Sequence, residues 1–95
     1  MKYKNIIEKF INLHICKREL KQYTLLQQTT FKEEELRVFK EIDKLNLSFK
    51  TFNTLSFICG DYVDNYLTKS LNDALNLCNK LIIENEVKKW IKNKK

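Results

Sequence analysis

The sequence contains no proline and a single glycine, Gly60. Chains that fold into sheets need turn residues roughly every ten positions to reverse direction. Valine, which favours strands, occurs only at Val38, Val63 and Val87. These shortages argue against a sheet and favour helices joined by short polar links.

Residue types and motifs that carry chemistry are also scarce. His14 is the only histidine, and the sequence has no glycine-rich phosphate loop and no G-x-S-x-G motif. The cysteines Cys16, Cys59 and Cys78 are widely spaced and odd in number, which indicates neither a zinc site nor a disulfide framework. We expect buried, reduced thiols, and no catalytic site, metal or cofactor.

Long apolar runs are missing as well. Charged residues interrupt the apolar segment from Ile6 to Ile15, which therefore lacks the pattern of a signal peptide. No stretch approaches the roughly 18 apolar residues that indicate a membrane span. We expect a cytoplasmic protein that folds as one helical domain over residues 1–95.

Positive charge is what the sequence has in abundance. Lysine outnumbers arginine by 16 to 2, a bias typical of an AT-rich genome such as that of a low-GC bacterium or its phage. The net charge of +6 is uneven: residues 1–30 carry six basic and two acidic groups (+4), residues 31–67 five and seven (−2), and residues 68–95 seven and three (+4). Basic ends favour attraction to nucleic acid, an anionic surface or an acidic partner.

Apolar residues recur at helical spacing in four segments. In the first segment the apolar stripe rotates, which predicts either a bend near Cys16 or a second half that packs against a different part of the molecule. The T-x-x-E capping box at Thr30–Glu33 predicts the start of the second helix. The predicted segments run from about Lys4 to Gln27, from Thr30 to about Asn46, from Ser48 or Thr51 to about Leu67, and from after Ser70 to about Asn93.

Short links make consecutive helices antiparallel neighbours, so the pattern predicts an all-α, antiparallel up-down four-helix bundle. In such a bundle the first and last helices lie side by side. We therefore predict that their basic residues share one face. The predicted basic face consists of Lys17, Arg18, Lys21, Lys88, Lys89, Lys92, Lys94 and Lys95.

The second half of the fourth helix carries a new apolar stripe on nearly the opposite face from its inner stripe. This stripe is open to three interpretations: it completes the core against the second half of the first helix, it forms a homodimer or partner interface, or it lies on a membrane surface. Phe57 likewise faces away from the apolar stripe of its helix. The predicted partner-binding residues are Phe57, Ile83, Val87, Trp90 and Ile91.

One short segment resembles a family of helical bundles. His14-Ile15-Cys16-Lys17 is similar to the H-x-x-K motif of histidine phosphotransfer domains, which are four-helix bundles. In that family a small residue usually follows the lysine so that phosphate can approach. Arg18 stands at that position here.

A second segment resembles a DNA-binding motif. Leu45–Phe52 is similar to the turn and recognition-helix start of response-regulator helix-turn-helix domains, where L-x-I-S-x-x-T-V is common. The resemblance implies a helix-turn-helix over residues 36–59. Two departures are visible: Glu41 stands where a buried aliphatic residue is expected, and Lys50 is the only cation of the recognition helix.

The sequence is most consistent with a small non-enzymatic binding protein, a regulator or inhibitor that docks on a protein or nucleoprotein partner. Small proteins of AT-rich mobile elements, including phage-encoded inhibitors of host defence, often act in this way, which is an analogy of class. One alternative is a basic nucleic-acid-binding protein. Another is an immunity protein against a bacteriocin, which the chain resembles in length, basic charge and four-helix plan.

Overall fold

The computed structural model describes residues 1–93, which form four α-helices and contain no strand. The predicted all-α class is therefore confirmed. A 3₁₀ turn at Leu20–Gln22 follows the first helix. The helices are α1 (Lys4–Glu19), α2 (Leu25–Asp43), α3 (Phe49–Asp64) and α4 (Leu71–Asn93).

The boundary between the first two helices differs from the prediction. The helix expected to continue to Gln27 ends at Glu19, and the chain reverses before Thr24. There, Thr24 Oγ1 accepts from Gln27 N at 3.2 Å, while Thr24 N donates to Gln27 Oε1 at 2.8 Å. This capping box starts α2 because it satisfies backbone N–H groups that have no partner within the helix.

The predicted start of the second helix at Thr30 is therefore wrong. Thr30 lies inside α2, and its hydroxyl donates to Leu26 O at 3.0 Å instead of capping a helix end. α1 ends about one turn after Cys16, at Glu19, and the residues expected to continue the first helix belong to the 3₁₀ turn and to α2. The rotation of the apolar stripe marks the end of one helix and the start of another.

The later helix starts agree with the sequence. Ser48 caps α3, and its hydroxyl accepts from Thr51 N at 3.1 Å. Ser70 Oγ accepts from Asp73 N at 3.3 Å at the start of α4. Between α2 and α3, Asn46 adopts a φ of 54°, a left-handed conformation that asparagine tolerates better than most residues.

The helices form the predicted antiparallel up-down four-helix bundle, with α1 at its centre. α1 packs against each of the other three helices, and α3 also packs against α4. α1 and α3 run parallel, since Phe10 lies beside Phe52 near their starts and Arg18 pairs with Asp64 near their ends. α2 packs chiefly on α1.

All four helices contribute to one hydrophobic core. Phe10, Phe39 and Phe52, from three different helices, place their ring centroids 5.9–6.3 Å apart. Full burial of a large apolar side chain contributes about 1.5–3 kcal/mol, so the core holds the four helices together. The most deeply buried side chains are Ile7, Val38, Leu55, Cys59, Cys78 and Ile82.

We expect Thr24→Ala to lower the free energy of unfolding by about 1 kcal/mol, the usual cost of losing a helix N-cap. The matched control is Thr30→Ala, which removes the same atoms from the interior of the same helix. It should leave stability within about 0.5 kcal/mol or raise it slightly, because alanine is the better helix former. Urea unfolding followed by far-ultraviolet circular dichroism measures both. If Thr30→Ala lowered the free energy of unfolding more than Thr24→Ala, the start of α2 would have to be placed at Thr30 instead.

Candidate functional site

The C-terminal part of α4 extends past the ends of α1 and α3. Tyr3 N donates to Asn79 Oδ1 at 3.0 Å, and Ser48 N donates to Asn85 Oδ1 at 3.1 Å, so both helices begin beside the middle of α4. Because α1 and α3 run antiparallel to α4, they lead away from its C-terminal end. Roughly two turns of α4, residues 87–93, therefore lie beyond both helices.

Four apolar side chains on this part of α4 are exposed, and together they form what we call the α4 terminal surface. Ile83 is 39% exposed, Val87 49%, Trp90 59% and Ile91 50%, whereas Ile82 on the inner face is fully buried. Their i, i+4, i+7, i+8 spacing places them on one side of the helix. The interpretation that they complete the core against the second half of the first helix is therefore wrong.

The structure places Phe57 away from the other predicted anchors. Its side chain is 73% exposed and lines a groove of about 410 Å³ between α3 and α4, together with Leu77 and Asp61. Leu77 lies about 20 Å along the helix axis from Trp90. The predicted partner-binding residues thus lie on two separate parts of the surface.

Among the residues that the structure describes, Lys17, Arg18 and Lys21 do not share a face with Lys88. α1 and α4 do lie side by side, but they run in opposite directions. Lys17, Arg18 and Lys21 therefore lie at the end of the bundle where α4 begins, while Lys88 lies beyond the opposite end. The two groups of cations cannot contact one short stretch of an anionic partner together.

The basic residues also differ in how exposed their side chains are. The Nζ atom of Lys89 is buried and makes no hydrogen bond within the part of the chain that the structure describes, whereas Lys88 is exposed. Lys94, Lys95 and the side chain of Lys92 lie outside the described residues. Lys88 is thus the one predicted α4 lysine whose exposed side chain the structure describes.

Arg18 belongs to a polar seam between α1 and α3. Its Nη1 donates to His14 O at 2.8 Å, and its Nη2 donates to Gly60 O at 3.3 Å and to Asp64 Oδ2 at 3.0 Å. The hydrogen bond from Arg18 lowers the pKa of Asp64. Since Asp64 and two carbonyl groups occupy its guanidinium, Arg18 holds the two helices together and does not present its charge to a ligand.

His14 lies in the same seam, and both of its ring nitrogens make only long polar contacts. Its Nε2 is 3.5 Å from Ser56 Oγ, too long for a firm hydrogen bond, and its Nδ1 faces Arg18 Nη1 at 3.4 Å. A nucleophile–base pair requires a short contact, and the base is usually oriented by an acid. Burial, followed by the charges of Arg18 and Lys17, lowers the pKa of His14.

The surroundings of His14 do not suit a phosphohistidine either. The Phe10 ring lies edge-on to the imidazole, with centroids 5.0 Å apart. His14 and Lys17 line a cleft of about 190 Å³ that also contains the Glu35 side chain. A carboxylate on this cleft would repel a phosphoryl group, so the H-x-x-K resemblance does not extend to the chemistry of that family.

The sequence reasoning missed a second exposed apolar region, on α2. Leu25 and Leu26 are exposed in the first turn of α2, and Leu36 is exposed about three helical turns later. The predicted first helix, which extends to about Gln27, includes Leu25 and Leu26, so their exposure at the start of α2 was not predicted. The T-x-x-Q capping box beginning at Thr24 was the signal that could have revealed them.

Wider searches identify no ligand type for this chain. Within residues 1–93 no three potential metal ligands cluster, and no helix there is long and apolar enough to cross a membrane. Comparisons with protein-family models, with curated proteins and with solved structures found no match.

The lowered pKa of His14 predicts that stability falls as the pH drops. In the unfolded chain His14 takes up a proton near pH 6.5, whereas the folded chain resists protonation. The contribution of neutral His14 to the free energy of unfolding is therefore fully present above about pH 7.5. It is progressively lost as the pH falls through 6.5 towards the folded-state pKa.

Urea unfolding at a series of pH values from about 8 to 5.5 tests this expectation, because histidine is the only side chain that ordinarily titrates in that interval. His14→Gln, which removes the only histidine of the chain, should flatten the profile. An unchanged slope in that variant would contradict the assignment.

Proposed function

We propose that this chain is a non-enzymatic binding protein, a small regulator or inhibitor that docks through the α4 terminal surface on a protein or nucleoprotein partner. The observation that carries the proposal is the exposure of four neighbouring apolar side chains on the part of α4 that extends past α1 and α3. Clustered exposed apolar residues that lie next to charged groups are typical of interaction sites.

The shape of this surface suits recognition by helix insertion. An amphipathic helix can place its apolar side in a groove of a partner, with anchors at i, i+4 and i+7 spacing. Ile83, Val87 and Trp90 have that spacing, and tryptophan is among the residues that contribute most to binding energy. The outer side of these two turns, which carries Val87, gives a partner access to α4.

Charge around the surface favours an acidic partner. Residues 87–95 contain five lysines and no acidic residue. Such charges raise association rates and select acidic surfaces more than they add to affinity. We therefore expect the partner groove to be apolar at its centre and acidic at its rim.

Nucleic acid is less consistent with the arrangement of the cations. Lys17, Arg18 and Lys21 lie at the opposite end of the bundle from Lys88, and Arg18 is engaged by Asp64. In the helix-turn-helix interpretation of residues 36–59 the two helices would pack on each other, whereas α2 packs chiefly on α1. The bacteriocin-immunity interpretation stays a prediction, since it rests on size, charge and helix count alone.

Capture of proteins from the source organism by the immobilised chain tests the proposal. Trp90→Ala should remove a partner that the wild-type chain retains, because truncation of a central tryptophan commonly costs more than about 2 kcal/mol of binding energy. Leu25→Ala, at an exposed apolar residue on α2, is the matched control and should retain the partner. Phe57→Ala tests the groove between α3 and α4 separately. Retention of every partner by Trp90→Ala would overturn the proposal.

The salt dependence of the captured complex separates protein from nucleic acid. An apolar interface should keep most of its affinity between about 50 and 200 mM salt, whereas binding to several phosphates should weaken by orders of magnitude. Nuclease treatment before elution provides the control. A complex lost both to salt and to nuclease would favour the nucleic-acid alternative.

A further inference from the structure

We propose that a second copy of this chain covers the α4 terminal surface when no other partner is bound, with the two α4 helices antiparallel about a two-fold axis near Val87. This inference rests on the proposed function in that it concerns the same surface. A partner would have to displace the second copy, so self-association would regulate access to the docking site.

The apolar residues of the surface are arranged so that it can pair with itself. In a two-fold dimer the same patch serves on both copies, and residue i contacts j while j contacts i. Antiparallel pairing centred on Val87 brings Ile83 of each copy opposite Trp90 and Ile91 of the other. Each exposed apolar side chain then meets another apolar side chain.

The charges select the antiparallel direction. Glu84 lies on the N-terminal side of Val87 and Lys88 on its C-terminal side, and neither forms an ion pair within residues 1–93. Antiparallel helices bring Glu84 of one copy beside Lys88 of the other, twice by symmetry. Parallel helices would put the flank that carries Glu84 and Lys88 on opposite sides of the interface in the two copies, so both attractive contacts would be lost.

The bundle does not obstruct this pairing. Because α4 extends past α1 and α3, residues 87–93 of one copy can lie along residues 81–87 of the other without a collision between the two cores. The N-terminal segment stays at the side, where Lys2 Nζ lies 3.7 Å from Glu86 Oε2. Because Lys2 pairs with Glu86 and not with Glu84, Glu84 remains available to contact the second copy.

Sedimentation equilibrium of the purified chain over about 1–200 µM in low salt tests the proposal. The wild-type chain of 11.5 kDa should reach twice that mass, and Trp90→Ala should raise the dissociation constant at least about tenfold. Lys32→Glu changes an exposed lysine on α2 and should leave the dissociation constant unchanged.

Charge reversal gives the decisive test. Glu84→Lys and Lys88→Glu should each raise the dissociation constant roughly three- to tenfold, because each makes both symmetry-related pairs repulsive. An equimolar mixture of the two variants should associate again, since two lysines of one chain then face two glutamates of the other. Such recovery on mixing cannot arise within a single chain.

Three results would overturn the inference: a monomer over the whole concentration range, a dimer indifferent to Trp90→Ala and both charge reversals, or no recovery on mixing. A monomer that still loses its captured partner on Trp90→Ala would refute only the dimer. A dimer with the expected variant effects, whose captured partners all survive Trp90→Ala, would refute only the proposed function.

Discussion

The apolar side chains of α1 contact all three other helices, and the stability of the bundle depends on that shared contact. A chain of this length can bury only about 60–65% of the surface that its unfolded form exposes. Its buried residues therefore have to lie in one place, and Ile7 and Phe10 of α1 are at that place. α2 depends on α1 the most, because it packs chiefly on that helix.

This dependence on α1 explains where the molecule remains open. Since α2 and α3 both pack on α1, a cleft lined by Phe39 and Phe52 lies between them. The polar seam formed by His14, Arg18 and Asp64 closes the other side of α1 against α3. His14, Arg18 and Asp64 are thus engaged in holding α1 and α3 together, while the exposed apolar residues lie at the ends and outer faces of the bundle.

The number of helices and most of the core could be predicted from the sequence, because 3.6-residue periodicity depends only on which residues must be buried. The start of α2 could not be predicted from the sequence. Two similar capping boxes, beginning at Thr24 and Thr30, lie six residues apart, and local hydrogen bonding favours both. The choice depends on where α1 ends, which is set by packing across the bundle. The apolar stripe from Ile83 to Ile91 could likewise be predicted from periodicity. Its exposure could not, because it depends on where α1 and α3 begin.

The position of Trp90 has a practical consequence for the study of this protein. It is the only tryptophan of the chain, and it lies on the exposed terminal turns of α4, away from the core that melts on unfolding. Its intrinsic fluorescence will therefore report events at the tip of α4 more directly than it reports changes in the middle of the core. The emission wavelength and the fluorescence anisotropy of Trp90 can therefore show whether another molecule is bound at that tip, without a dye or a tag.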